Sequence, residues 1–143
     1  MKMATKRAKA PSLPVASEAH EQRTLIQWAR LASVSEPRLR MLVMIPNGAV
    51  RRGSAGAAMA QGLAPGLPDL ALLVPGGGFG GLFIELKRRD GGRISREQAE
   101  WISRLRGQGY RAEVCAGWEA ARDVILEYLA GSPGEWLELA LPA

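Results

Sequence analysis

Asp69, Glu85 and Lys87 are the residues of this chain whose types and spacing could do chemistry together. Glu85 and Lys87 stand two apart in Leu82-Phe-Ile-Glu-Leu-Lys87, an apolar run that reads as a β-strand. Side chains alternate along a strand, so Phe83, Glu85 and Lys87 share one face while Leu82, Ile84 and Leu86 share the other. Charged groups on so apolar a strand are costly to bury unless they are paired. A second strand is read in Asp69-Leu-Ala-Leu-Leu-Val74, joined to the first through Pro75-Gly-Gly-Gly-Phe-Gly-Gly81. Symmetric pairing of this hairpin sets Asp69 opposite Lys87 and Val74 opposite Leu82. Asp69 is then diagonal to Glu85, at about 7–8 Å. Two convergent carboxylates and a backbone carbonyl make a hard oxygen set of the kind a Mg²⁺ ion takes while keeping several waters. Such an ion binds a phosphate and generates hydroxide, and Lys87 can orient the attacking water and offset phosphate charge.

The competing reading of these three residues is a cross-strand ion pair on a solvated face. Against it stand the apolar flanks on both faces, the Pro68 that fixes the turn before Asp69, and further polar residues at matching places. Glu21 lies four before Leu25 and seven before Trp28, continuing the apolar stripe of a first helix. Gln98 lies four before Ile102 and seven before Leu105, on the stripe of a later helix. Each has a local alternative. Glu18 and Glu21 both suit the positive end of a helix dipole, and Ser95-Arg-Glu-Gln98 fits a capping box. Gly76, Gly78 and Gly81 match the letters of a dinucleotide fingerprint, but a strand follows them where the fingerprint needs a helix. They are read as a flexible hairpin loop, with no nucleotide cofactor. His20 is read as a surface residue and Cys115 as a core filler.

The elements that position these residues follow from periodicity. A helix is expected from Glu18 to about Val34 after an N-cap at Ser17, and a buried strand over 41–45 that stops at Pro46-Asn-Gly48. A short helix near 56–61 precedes the hairpin. A helix over about 96–106, a strand over 110–115 and a helix over 118–129 complete the order. With 143 residues, 47% of them hydrophobic, the chain makes one globular domain. One Cys and one His exclude an internal disulfide and a zinc cluster. No apolar run reaches the roughly 20 residues of a membrane span, and the N-terminal stretch lacks the apolar segment of a secretory signal. The protein is therefore expected in a cytoplasm.

The net charge of +5 is unevenly placed: +4 on residues 1–17, +6 on 18–112 and −5 on 113–143. Of the 19 basic residues 15 are Arg, the side chain suited to bidentate phosphate contact, although arginine enrichment also follows from a GC-rich coding genome. Residues 1–17 read as a basic, disordered arm, 18–130 as the folded domain, and 131–143, around Trp136-Leu-Glu-Leu139, as a tail or appended strand.

Pro68-Asp69, then Glu85-Leu-Lys87, in the order α-β-β-β-α-β, resembles the PD-(D/E)xK nuclease superfamily. The surrounding text is more specific: Glu21-Gln22, Ile45-Pro-Asn-Gly48, Gly62 with Pro65-Gly-Leu-Pro-Asp69, Gly81 through Lys87, Gly92-Arg-Ile-Ser95 with Gln98 and Trp101, and Leu105 through Gly109-Tyr110. Together these resemble the virus-type replication-repair nuclease (VRR-NUC) domain over residues 18–130, in its stand-alone bacteriophage or bacterial form.

The resemblance implies an α/β, restriction-endonuclease-like core with a mixed central sheet flanked by helices. It implies a Mg²⁺ or Mn²⁺ site carried by Glu21, Asp69 and Glu85, with Leu86 lending its carbonyl, Lys87 as the catalytic lysine and Gln98 as an adjacent glutamine. Glu18 lies on the same stripe as Glu21 and is the alternative first-helix acid. The implied activity is hydrolysis of phosphodiester bonds in branched DNA, above all four-way junctions, by a homodimer acting in DNA repair or recombination in a bacterium or phage-infected host. Alternatives are a monomeric flap nuclease on the same core and a non-catalytic basic DNA-binding module. Arg51, Arg52, Arg88 and Arg89 flank the active end of the hairpin and are expected to contact phosphates of branched or duplex DNA without reading bases.

Overall fold

The computed structural model describes residues 12–46 and 55–132. Arg51, Arg52, the Asn47-Gly48 half of the expected turn, residues 1–11 of the basic arm and the segment 133–143 lie outside the described residues.

Helix α1 spans Glu18–Ala32, two residues shorter than the apolar period suggests. The Ser17 hydroxyl accepts from the His20 N–H at 3.2 Å, and Glu21, Leu25 and Ala29 recur every four residues on its buried side. A 3₁₀ helix over Pro37–Met41, which periodicity does not reveal, leads into β1, Leu42–Met44. The remaining elements are α2 (Ala55–Ala60), β2 (Leu70–Leu72), β3 (Leu82–Lys87), α3 (Arg96–Gly107), β4 (Arg111–Ala116) and α4 (Trp118–Ala130). The four strands form one sheet in the order β1-β2-β3-β4. The first two pairings are antiparallel and β3–β4 is parallel, with α3 as the crossover that a parallel pair requires. The order leaves β1 at an edge, so the strand expected to be buried exposes Val43 (38%) and Met44 (57%).

The two faces of β3 are covered by different helices. Leu82, Ile84 and Leu86 enter the main core with Leu25 and Ala29 of α1 and Ile125 and Tyr128 of α4. Phe83 packs with Ile102 and Leu105 of α3 and Ala112 of β4, and its ring meets Tyr110 edge-on at 5.3 Å. Glu85 and Lys87 lie on the α3 side of the sheet, as alternation requires.

The hairpin register differs from the symmetric expectation by two residues. Leu70 pairs with Ile84 and Leu72 with Leu82, so continuing the ladder sets Asp69 opposite Glu85 and not opposite Lys87. A two-residue shift preserves which side chains share a face. The pairing of β2 with β3 ends at Leu72: the Leu73 N–H continues the β1 ladder to the Met41 carbonyl at 3.1 Å, and the Val74 carbonyl accepts from the Tyr128 hydroxyl at 2.6 Å. The glycine loop, expected to be flexible, is tied down by Gly77 N–H to the Gly131 carbonyl (3.0 Å) and Gly80 N–H to the Gly109 carbonyl (2.9 Å).

Gly66 connects the fold to the site. Its φ is +88°, and a Cβ there would lie 2.6 Å from the Glu97 carbonyl carbon and 2.8 Å from its oxygen. The turn before Asp69 therefore presses directly on the first turn of α3. Gly66→Ala is expected to destabilise the protein by about 2 kcal/mol or more, through a disfavoured backbone region and a clash with backbone. Urea denaturation of the two proteins measures this difference.

Candidate active site

Asp69 sits just before β2 begins, and its carboxylate accepts the Leu86 N–H at 2.9 Å. Along β3, Gly81 and Lys87 give their carbonyls to Arg111 and Gly117 on the β4 side. Alternation therefore turns the backbone groups of Leu86 the other way, toward β2 and Asp69. Continued by two residues, the register sets Pro68 opposite Leu86, and Pro68 has no N–H to give to the ladder. Asp69 takes the Leu86 N–H with its side chain, and the Leu86 carbonyl lies on the same strand edge as the Asp69 carboxylate.

Glu85 is 2% exposed. Its Oε1 accepts from Gln98 Nε2 at 2.6 Å and lies 3.1 Å from Lys87 Nζ. Its Oε2 is buried with no hydrogen-bond partner among the described residues. Gln98 fulfils both readings of its position. It closes the capping box, its Oε1 accepting from the Ser95 N–H at 2.9 Å and the Ser95 hydroxyl accepting from the Gln98 N–H at 3.1 Å. It also reaches Glu85 and accepts from Lys87 Nζ at 3.3 Å. The α3 N-terminus thus fixes the rotamer of Glu85.

Burial raises the pKa of both carboxyls, and for Glu85 the neighbouring Asp69 charge raises it further. The Leu86 N–H and the Lys87 charge offset this only in part. Glu18 adds to the repulsion on both. Its Oε1 stands 3.9 Å from Lys87 Nζ, and the loop after β3 folds over the pair so closely that a Cβ on Gly92 would lie 3.0 Å from Lys87 Cδ and 3.2 Å from Glu18 Oε1.

Glu21, the first-helix acid expected to hold metal, is not part of this group. It is fully buried, and both oxygens are bound elsewhere: to Arg89 at 3.0 and 3.4 Å and to the Trp118 N–H at 2.9 Å. Burial alone raises its pKa, but Arg89 and the Trp118 amide outweigh that and hold it below the usual range. The helix α4 begins after Gly117 (φ +85°), which has no side chain to cap it. Glu21 supplies that cap from another helix. Glu18, the alternative, is the α1 acid beside Lys87, Asp69 and Glu85. Arg89, expected to contact phosphate, pairs with Glu21 and with Glu119 at 2.9 Å and is half exposed. Arg88 has only an exposed contact with Asp90 at 3.3 Å.

Cys115 is buried in the core, which pushes its thiol up to about 11, so it is no nucleophile at neutral pH. Among the described residues no group of three or more His, Cys, Asp and Glu gathers into a cage. The available donors are the Asp69 and Glu85 carboxylates and the Leu86 carbonyl, with Glu18 at the rim. The partnerless Glu85 Oε2 fits a cation, and so sparse a protein set fits one that retains water and takes further oxygens from a phosphate.

The VRR-NUC domain model matches residues 10–119 of the chain. A solved structure described as a "VRR_NUC domain protein" superposes with a TM-score of 0.72 at 24% identity, covering 82% of this chain and 91% of that one. No curated protein matches significantly.

The raised and lowered carboxyls predict opposite pH effects. The stabilising contribution of Asp69 and Glu85 is complete below the ordinary carboxylate range and is lost as pH rises through their raised pKa values. That of Glu21 is present above the ordinary range and is lost as pH falls through its lowered value. Urea denaturation in EDTA across pH 3–8 should show a decline at the upper end that Asp69→Asn with Glu85→Gln removes. A loss at the acid end that Glu21→Gln removes should accompany it.

Proposed function

The chain belongs to the VRR-NUC domain family, and we propose that it is a metal-dependent, structure-selective DNA endonuclease acting on branched DNA. Membership implies a nuclease-type, DNA-processing function, and the mixed sheet flanked by helices is the family's PD-(D/E)xK nuclease fold. The observation that carries the finer reading is the buried, partnerless Glu85 Oε2 beside Asp69. Mg²⁺ or Mn²⁺ would be held by Asp69, Glu85 and the Leu86 carbonyl, with Glu18 at the rim. When bound, the ion supplies Lewis acidity toward phosphate and lowers the pKa of bound water.

The side chains divide the remaining tasks. Lys87 uses two of its three N–H groups on Glu85 and Gln98. The third can orient a water for in-line attack on phosphorus, and the ammonium offsets charge on the phosphate oxygens as the P–O bond to the leaving group breaks. Gln98 keeps Glu85 Oε1 occupied, which leaves Oε2 as its open donor. Arg88, with Arg51 and Arg52 outside the described residues, would position the duplex by phosphate contacts. A homodimer resolving four-way junctions is the assembly we propose, since paired cuts across a junction need two sites related by a two-fold axis.

Incubation with labelled four-way junctions, flaps and linear duplex, with Mg²⁺, with Mn²⁺ or in EDTA, tests this reading. Glu85→Ala and Lys87→Ala should each lower the cleavage rate by about 100-fold or more while leaving DNA binding within a few-fold. Full cleavage by these variants, or by the wild type in EDTA, would sink the assignment. Symmetric paired nicks point to the dimer, and a single cut near a flap points to the monomeric alternative.

A further inference from the structure

An open groove of about 840 Å³ runs along α1 toward the sheet edge, away from the catalytic face. Arg23 and Arg30 of α1 and Arg40 of the 3₁₀ helix line it over Ile26, Leu42 and Met44, and no acidic residue lines it among those described. One wall is the outer edge of β1, which pairs with no strand among the described residues. Met41 and Ile45 bond to β2 through Leu73 and Asp69, at 3.1 and 2.8 Å, so alternation turns the Leu42 and Met44 backbone groups outward. An unpaired edge beside an apolar floor is a template for another strand.

We propose that the chain's own residues 133–143 occupy this groove, running along the outer edge of β1. Three observations support that occupant. The segment departs from the right place, because Ser132 gives its carbonyl to Arg38 Nη1 at 2.7 Å, and Arg38 lies two residues before Arg40. Its composition is complementary: it carries Glu135 and Glu138 and no basic residue, and Leu137, Leu139 and Leu141 recur with strand period as an apolar face for the floor. Its reach is sufficient, since eleven extended residues span roughly 36 Å against roughly 21 Å for the α1 stretch from Ala19 to Ser33. This inference is independent of the nuclease reading. It places an acidic segment over a basic flank and so confines the approach of polyanions to the catalytic end.

The test is thiol labelling of Met44→Cys in the full chain, where native Cys115 is buried, at a concentration where light scattering shows monomer and without DNA. The Met44→Cys thiol should be protected, and Leu137→Ser with Leu139→Ser and Leu141→Ser should speed its labelling about tenfold or more. Equal rates overturn the proposal. So does protection that appears only as the chain self-associates, which assigns the groove to a second copy, or only on adding duplex DNA, which assigns it to nucleic acid. If Met44→Cys does not fold, hydrogen exchange of the Leu42 and Met44 amides in otherwise native protein, with and without the three serines, decides by the same criterion.

Discussion

Two carboxylates, Asp69 and Glu85, stand opposite each other at one end of the sheet with Lys87 beside Glu85, and much of the surrounding structure serves to hold that arrangement. Glu85 is buried, Asp69 raises its pKa, and Lys87 lies 3.1 Å from only one of its oxygens. Burying like charges so closely is unfavourable unless a cation completes the set. Each supporting contact acts on this end. Gln98 pins Glu85 from the α3 cap, Gly66 lets the turn before Asp69 press against the same helix, and the lack of an N–H on Pro68 interrupts the ladder where the Leu86 carbonyl lies.

A second ion cluster has the opposite character. Glu21, Arg89, Glu119 and the Trp118 N–H form a satisfied set joining α1, the loop after β3 and the start of α4. Its carboxylate is stabilised in the charged form, whereas those of Asp69 and Glu85 are destabilised in it. Two buried glutamates thus play different parts. One carries its counter-charge within the fold, and the other leaves an oxygen open. That difference in hydrogen bonding distinguishes the two glutamates more sharply than burial does.

The hairpin and the shared face of Glu85 and Lys87 were legible in the sequence because strand alternation fixes faces whatever the register. The same reasoning could not fix the register, since alternation is blind to a two-residue shift and the Val74 carbonyl, just past β2, is held by Tyr128, distant in sequence. Gln98 was legible twice over, from the capping box and from the apolar stripe, and the fold uses both. Glu18 and Glu21 share a stripe, and helical periodicity does not choose between them. The choice is made by α4, which starts at Gly117 without a cap of its own and takes Glu21 as one. The edge position of β1 was hidden because a run of five apolar residues reads alike in a central and an edge strand. The 3₁₀ helix before it carries no apolar period to read.

Calorimetric titration of the metal-free protein with Mn²⁺ is the most direct measurement on the central claim. Wild type and a folded Glu21→Gln variant should bind comparably, while Glu85→Gln and Asp69→Asn should each lose about tenfold or more in affinity. Undiminished Mn²⁺ binding by Glu85→Gln, or loss of binding on Glu21→Gln with the fold intact, would contradict the account.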